Sequence, residues 1–333
     1  MADFQKLLQS FFDEWLVGMR NVSQHTVSSY ADAFRMLILW LHETRGTSPG
    51  DIGFADLGAE ELPRFVSWLE EARGNSAKTV NCRLAAIKSF AEFVSFREPS
   101  LSAWARDVRA LPQRKARVPA LDYLTGDEVA HIVATCDLSS ANGVRYDLIL
   151  RMLYNTGARV SELAALRVRD VTASHGRWRV TLFGKGRKER TVPLWGETGE
   201  AFEAYVSTHA LPSEGFLFPG RGTDHITRSG IRTIVERHCA LAATGHPELA
   251  GRKVTPHTFR HSAAMSLLES GVNLSTIAIW LGHESIETTH KYMVASVELK
   301  EKALGKVTSP PGAAGGRYHA DADLLEFLKA LSA

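Results

Sequence analysis

Asn155-Thr156-Gly157-Ala158-Arg159-Val160-Ser161-Glu162-Leu163 opens a series of four short segments that decide how this chain is read. The second is Phe183-Gly184-Lys185-Gly186-Arg187-Lys188-Glu189-Arg190, and the third is His257-Thr258-Phe259-Arg260-His261. The fourth runs from Leu281-Gly282-His283 to Lys291-Tyr292-Met293. In chain order they present Arg159, Lys185, His257, Arg260, His283 and Tyr292. Each segment alone carries little. A Gly-Lys-Gly turn is usually only a hairpin, and a His three residues before an Arg merely shares a helix face with it. The conjunction is what matters: two guanidiniums, an ammonium, two imidazoles and a phenol are the groups a phosphodiester needs to be attacked and stabilised.

The chemistry follows from the residue types. The transition state of phosphoryl transfer gains charge on its non-bridging oxygens. Arg159 and Arg260 offer planar forked donors matched to those oxygens, and His283 can add a further hydrogen bond. Tyr292 is the candidate nucleophile. A phenol titrates near 10, so it needs a proton acceptor, for which His257 is the candidate. Glu162, three residues after Arg159, is expected to hold that arginine and its helix in place. His261 is assigned to support. No carboxylate pair suited to holding metals stands beside these segments. His257 and His261 have a spacing that metals use, but no third ligand is evident, so no metal or other cofactor is expected.

At these six residues, and in the wording around each, the chain resembles the tyrosine recombinases, or phage-type integrases, and within them the Xer-like branch. The resemblance implies attack on a scissile DNA phosphate, a 3′-phosphotyrosyl intermediate and departure of a 5′-hydroxyl, with Lys185 on a mobile hairpin as general acid. It implies double-stranded DNA as partner and a homotetramer on two DNA sites, with a second recombinase or accessory protein left open. Integration, excision, resolution and transposition all fit. Two alternatives share parts of the signal. A type IB topoisomerase uses the same Arg-Lys-Arg-His-Tyr logic, and a non-catalytic DNA-binding relic would keep the fold. The intact set of six argues against the relic, and the short helical amino-terminal region argues against the topoisomerase.

The rest of the chain supports a mainly α, α+β reading with a small β-hairpin. At 333 residues two domains are expected. Val27, Tyr30, Phe34, Leu37 and Leu41 recur at the helical period, as do Val80, Leu84, Ile87, Ala91 and Val94. Phe4 to Met19 and Glu60 to Ala72 form two further amphipathic segments. Residues 1–98 therefore predict a four-helix domain resembling the family's SAM-like, DNA-binding core-binding domain. Pro99, Pro112 and Pro119 mark residues 99–121 as a linker. Thr125 and Glu128, at capping-box spacing, open a catalytic domain over 122–306. Within it, Trp178 to Phe183 alternates sides as a strand, and Arg190 to Leu194 returns as its hairpin partner. Beyond the Gly- and Pro-rich stretch that starts at Ser309, Leu324, Phe327, Leu328 and Leu331 form an apolar helical stripe. Residues 307–333 are read as a flexible linker and an amphipathic helix that docks on its own domain or on a neighbouring protomer.

Composition bounds the function further. A hydrophobic fraction of 44% and a charged fraction of 23% are those of a globular protein, and a net charge of +2 does not by itself speak for DNA. Local charge does. Arg106, Arg109, Arg114, Lys115 and Arg117 cluster in the expected linker, and Arg187, Lys188 and Arg190 surround Lys185. These are candidate phosphate contacts. No run of about 18 apolar residues predicts a membrane span. Met1 to Gln5 lacks the basic start of a secretory signal. Cys82, Cys136 and Cys239 are scattered, which favours a reducing compartment. The expected location is cytoplasmic, associated with the nucleoid.

Overall fold

The computed structural model describes residues 3–58, 60–115, 121–184, 188–220, 222, 224–283, 289 and 292. The chain divides after Pro119 into two compact units, each with its own apolar core. Among the described residues, no helix is long and apolar enough to cross a membrane.

The regular structure described in the amino-terminal unit is helical. Its first helix, α1, spans Phe4–Ser10 and continues as π-helix over Phe11–Met19. Three others follow: α2 (Gln24–Arg45), α3 (Glu61–Glu71) and α4 (Ala77–Arg97). Asp3, Ser23 and Ser76 cap α1, α2 and α4 by accepting hydrogen bonds from first-turn N–H groups, which the helix itself leaves unpaired. The apolar stripes meet in a cluster of aromatic rings. Phe90 on α4 stands 5.7 Å from Phe4, 5.4 Å from Phe11 and 5.3 Å from Phe34, each nearly edge-on.

The expected linker is partly built into this unit. Pro99–Leu101 forms a 3-10 turn and Ser102–Ala110 a fifth helix, α5. Ala105 and Val108 are fully buried, and Trp104 donates through Nε1 to the Leu57 carbonyl at 2.9 Å. Pro99 does not interrupt helix here because it occupies the first position of its turn, where no backbone donor is needed. The basic run is correspondingly divided. Arg106 and Arg109 are exposed on α5, with Arg106 beside Asp107 at 3.1 Å. Arg114 is instead tied back to its own unit. Its guanidinium meets the Glu70 carboxylate at 3.0 Å, and its backbone exchanges two 2.8 Å hydrogen bonds with the Asn81 amide. Lys115 is exposed, and Arg117 lies outside the described residues.

The carboxy-terminal unit begins with α6 (Gly126–Ala134), opened by the expected capping box: Thr125 and Glu128 bond each other's backbone N–H at 3.2 and 2.8 Å. Then come α7 (Ala141–Thr156), the short α8 (Val160–Ala164) and a three-stranded antiparallel sheet of β1 (Val171–Ser174), β2 (Arg177–Phe183) and β3 (Glu189–Pro193). Val180 on the central strand faces Val171 on one side and Val192 on the other. The helices α9 (Gly196–His209), α10 (Arg228–Ala242), α11 (Pro256–Glu269) and α12 (Leu274–Leu281) follow among the described residues. Strand β1 was not foreseen. It is four residues long, and a tight turn at His175 and Gly176, both at positive φ, joins it to β2. Residues 307–333, with the expected tail helix, lie outside the described residues.

Phe90 is the ring on which the amino-terminal core converges. Phe90→Ala should destabilise that unit by about 3–5 kcal/mol, the usual cost of a large cavity. Urea unfolding followed by tryptophan fluorescence reads this directly, and a loss under 1 kcal/mol would contradict it.

Candidate active site

The site is assembled at the carboxyl end of α12. A helix leaves its last carbonyls without intrahelical partners, and they carry the negative end of its dipole. Here three successive carbonyls each receive a different arginine. Trp280 accepts from Arg190 Nε at 2.8 Å, Leu281 from Arg260 Nη2 at 2.7 Å, and Gly282 from Arg159 Nη2 at 3.0 Å. Gly282 ends the helix in the left-handed conformation, with φ of 66°.

Arg159 is placed by the end of α7. That helix stops at Gly157, whose φ is 57°, a conformation glycine adopts at little cost. A Cβ there would also stand 2.5 Å from Leu281 Cδ2. The Gly157 carbonyl accepts from Arg260 Nη1 at 2.6 Å, which links the end of α7 to α11. Two residues on, Arg159 occupies the position just before α8. Glu162 accepts from its backbone N–H at 2.9 Å and from Nη1 at 2.8 Å.

Glu162 also holds Arg190, through Nη2 at 2.7 Å and Nη1 at 3.2 Å. The Glu162 side chain is only 3% exposed. Burial works against its ionisation, but the hydrogen bonds and charge of Arg190, and then Arg159, more than offset it. The carboxyl is held below its usual range. Glu162 thus supports Arg159 as expected, and supports a second arginine as well. The expectation for Arg190 is corrected here. Its side chain, 9% exposed, is committed to Glu162 and the Trp280 carbonyl and is no open phosphate contact. Sequence reasoning grouped it with its neighbours, because charge alone does not show which side of β3 turns inward.

Arg260 is 3% exposed. Burial, and then repulsion from Arg159, bring it down to about 10, with Tyr292 and Glu162 acting the other way. It therefore stays protonated near neutral pH. Its bonds to two carbonyls occupy two of the five donors of a guanidinium.

Tyr292 is fully buried. Its hydroxyl lies 3.1 Å from His261 Nδ1, and its ring is parallel to that of His283 at 6.3 Å. Burial pushes the phenol up to about 12, although the charge of Arg260 opposes this. His283 Nδ1 is 2.8 Å from Thr289 Oγ1, a partner that the sequence did not suggest. His257 is exposed on α11, with its ring 4.3 Å from that of His261. Beside it lies a shallow depression lined by Val160, Thr227, Arg228, Ser229, Arg232 and Thr255.

Lys185 and Arg187 lie outside the described residues. The base of their loop does not: Gly184 donates to the Lys188 carbonyl at 2.7 Å. A Cβ on Gly184 would stand 3.3 Å from Glu162 Oε1 and 3.9 Å from Arg159 Nη1. The hairpin that carries Lys185 is therefore rooted against the arginine–carboxylate cluster. Lys188 itself is exposed.

Residues 122–298 match the phage integrase family, and residues 9–98 match the phage integrase N-terminal SAM-like domain. The chain is 35% identical over 333 residues to y4rC of Sinorhizobium fredii, a protein provisionally named an integrase/recombinase, with 99% of each chain covered. It is 32% identical over 296 residues to tyrosine recombinase XerC of Pelobacter propionicus, covering 87% of this chain and 93% of that one. The solved structure of the Tn1549 transposon integrase in complex with transposon right end DNA shares the fold. Its TM-score is 0.69 at 18% identity, covering 92% of this chain and 99% of that one.

Glu162 yields a test of the cluster. Its carboxyl is depressed in the folded protein, so its contribution is complete above the ordinary glutamate range and is lost as pH falls through and below it. Glu162→Gln should cost about 3 kcal/mol near pH 7, since it leaves the buried Arg190 and its neighbour Arg159 short of their counter-charge. The gap from wild type should narrow under acid conditions. Urea midpoints at pH 7 and pH 4 measure both, and a gap that widens in acid would reverse the assignment.

With the six signature residues in order, four of them gathered around the end of α12, and both family models matched, this chain belongs to the phage integrase family as a Xer-like tyrosine recombinase, an enzyme of site-specific DNA recombination.

Proposed function

We propose that this recombinase breaks and rejoins DNA strands through Tyr292. The observation that carries the reading is the pair Arg159 and Arg260, fixed on adjacent carbonyls of α12, with the Tyr292 phenol close enough to Arg260 to feel its charge. Two forks held rigidly on one helix end form a cradle for the non-bridging oxygens of one phosphate. Donors preorganised in this way can each supply about 3–4 kcal/mol of transition-state stabilisation.

In the first step Tyr292 Oη forms a bond to phosphorus and the bond from phosphorus to the 5′-oxygen breaks. The phenolic proton passes to a histidine. His257 is the proposed acceptor, and His261, already 3.1 Å from the hydroxyl, holds the phenol beforehand. Lys185 gives a proton to the departing 5′-oxygen, and His283 donates to a non-bridging oxygen. The second step is the reverse with a 5′-hydroxyl from the partner strand. The phosphotyrosyl bond keeps the energy of the broken phosphodiester, so rejoining draws on no ATP. Since the phenol is buried and raised to about 12, it has to leave this pocket before it can reach a duplex. Arg106, Arg109, Lys115, Arg117, Arg187 and Lys188 are proposed to meet the DNA backbone. The setting is the cytoplasm, on nucleoid DNA.

Tyr292→Phe should form no covalent adduct on a nicked duplex carrying the sequences that flank the gene, while binding that duplex as wild type does. In the same assay Lys185→Ala should recover on a 5′-bridging phosphorothiolate, whose sulfur leaves unprotonated. A denaturing gel reads both. Adduct at wild-type level from Tyr292→Phe would remove the nucleophile, and equal Lys185→Ala defects on both substrates would remove the general acid.

The assembly is proposed to be a tetramer on two DNA sites, joined by exchange of carboxy-terminal segments around a closed ring. The stripe Leu324, Phe327, Leu328 and Leu331 follows a linker whose roughly 14 residues span about 20 Å, enough to reach a neighbour. Deleting residues 321–333 should then spare the melting temperature and single-site binding but abolish cooperative binding. A collapse of the melting temperature instead would place the helix on its own domain.

A further inference from the structure

We propose that His131, His246 and Glu248 form a binding site for a divalent transition-metal ion of zinc type. None of the three belongs to the recombination chemistry. His131 lies in the last turn of α6. His246 and Glu248 flank Pro247 at the 3-10 turn Pro247–Leu249 that follows α10. The two imidazole rings face each other at 3.4 Å and 14°, and Glu248 Oε1 is 3.4 Å from His246 Nδ1. One ligating atom from each of the three residues lies within 4.8 Å of the other two.

A second, separate observation points to a ligand. Among the described residues, His131 Nδ1 is buried and has no hydrogen-bond partner. A buried ring nitrogen left in that condition is costly, and a metal ion is one group that satisfies it. Two imidazoles and a carboxylate make a borderline nitrogen–oxygen donor set. Zinc takes such a set readily, with a water as fourth ligand, while calcium and magnesium prefer oxygen alone. Nickel, copper and cobalt share the preference for imidazole.

The geometry also states what binding requires. Stacked rings direct their lone pairs side by side, not to a common point. For both nitrogens to sit about 2.0–2.1 Å from one ion, the rings must fan apart. His246 and Glu248, with side chains 34% and 50% exposed, have room to turn, while His131 is fixed by its helix. The bound ion would tie the segment after α10 to α6. Arg252 already makes a parallel link, from the same segment to Glu128 at 2.6 Å. That segment leads directly into α11, which carries His257 and Arg260. The ion's role is thus structural, bracing the approach to the catalytic helix.

The test uses the full chain, stripped with a chelator and dialysed, then titrated with zinc chloride by calorimetry and thermal melting. One zinc per chain is expected, with a rise of roughly 5 °C in melting temperature at zinc a hundredfold above its dissociation constant. His131→Ala and His246→Ala should each weaken binding at least tenfold and abolish the rise. His257→Ala combined with His261→Ala should keep both. His246→Ala removes an exposed side chain, so it reports even if His131→Ala fails to fold. Cobalt substitution gives a further readout, an intense tetrahedral absorption that His246→Ala loses. The proposal is overturned if no zinc heat appears, if His246→Ala binds as wild type, or if binding disappears only with the active-site histidines.

Discussion

The carbonyl end of α12 is the constraint on which the catalytic unit turns. Three carbonyls that the helix cannot use are placed where Arg159, Arg190 and Arg260 converge. Three like charges this close repel, and after burial it is the charge of Arg159 that lowers Arg260 most. Among the described residues, one carboxylate, Glu162, is paired with two of them. The remaining compensation comes from dipoles, namely the end of α12 and the Gly157 carbonyl. Dipoles orient the guanidiniums without cancelling their charge. The cluster therefore stays electropositive, which is what an anionic phosphate requires, while its donors are held in place beforehand.

The same arrangement explains why Arg159 and Arg190, both bound to Glu162, have different fates. Arg159 stands at the start of a short helix and stays 39% exposed, whereas Arg190 is 9% exposed. One remains able to meet a ligand; the other braces β3 against α8 and α12. Tyr292 follows a related logic. Its burial beside His261 and His283 makes the phenol harder to ionise, so the hydroxyl is stored as a neutral group.

Stability and chemistry are separated along the chain. The amino-terminal unit is held by interlocking aromatic rings around Phe90 and by capped helices, and none of the six signature residues lies in it. The carboxy-terminal unit buries aliphatic residues of its helices and three-stranded sheet and places its polar groups at helix ends. Gly157 and Gly282 show why helix ends matter. Each stops its helix in a left-handed turn and sets the adjoining carbonyls toward arginines.

The sequence by itself determined the helical character of residues 1–98, the capping box at Thr125, the hairpin of β2 and β3, and the six signature residues in their order. These are legible because periodicity, capping and local motifs depend on near neighbours in the chain. Helix α5 was hidden because prolines read as breakers until their position in a turn is known. Strand β1 was hidden because four residues with only Val171 fully buried leave little pattern. Only the tertiary structure decided that Arg190 turns inward, that Arg114 belongs to Glu70, that His261 meets the Tyr292 hydroxyl and that one helix end gathers three arginines. Those contacts join residues from 21 to 123 positions apart. No local pattern encodes such a pairing; it exists only once packing has fixed which carbonyl faces which guanidinium.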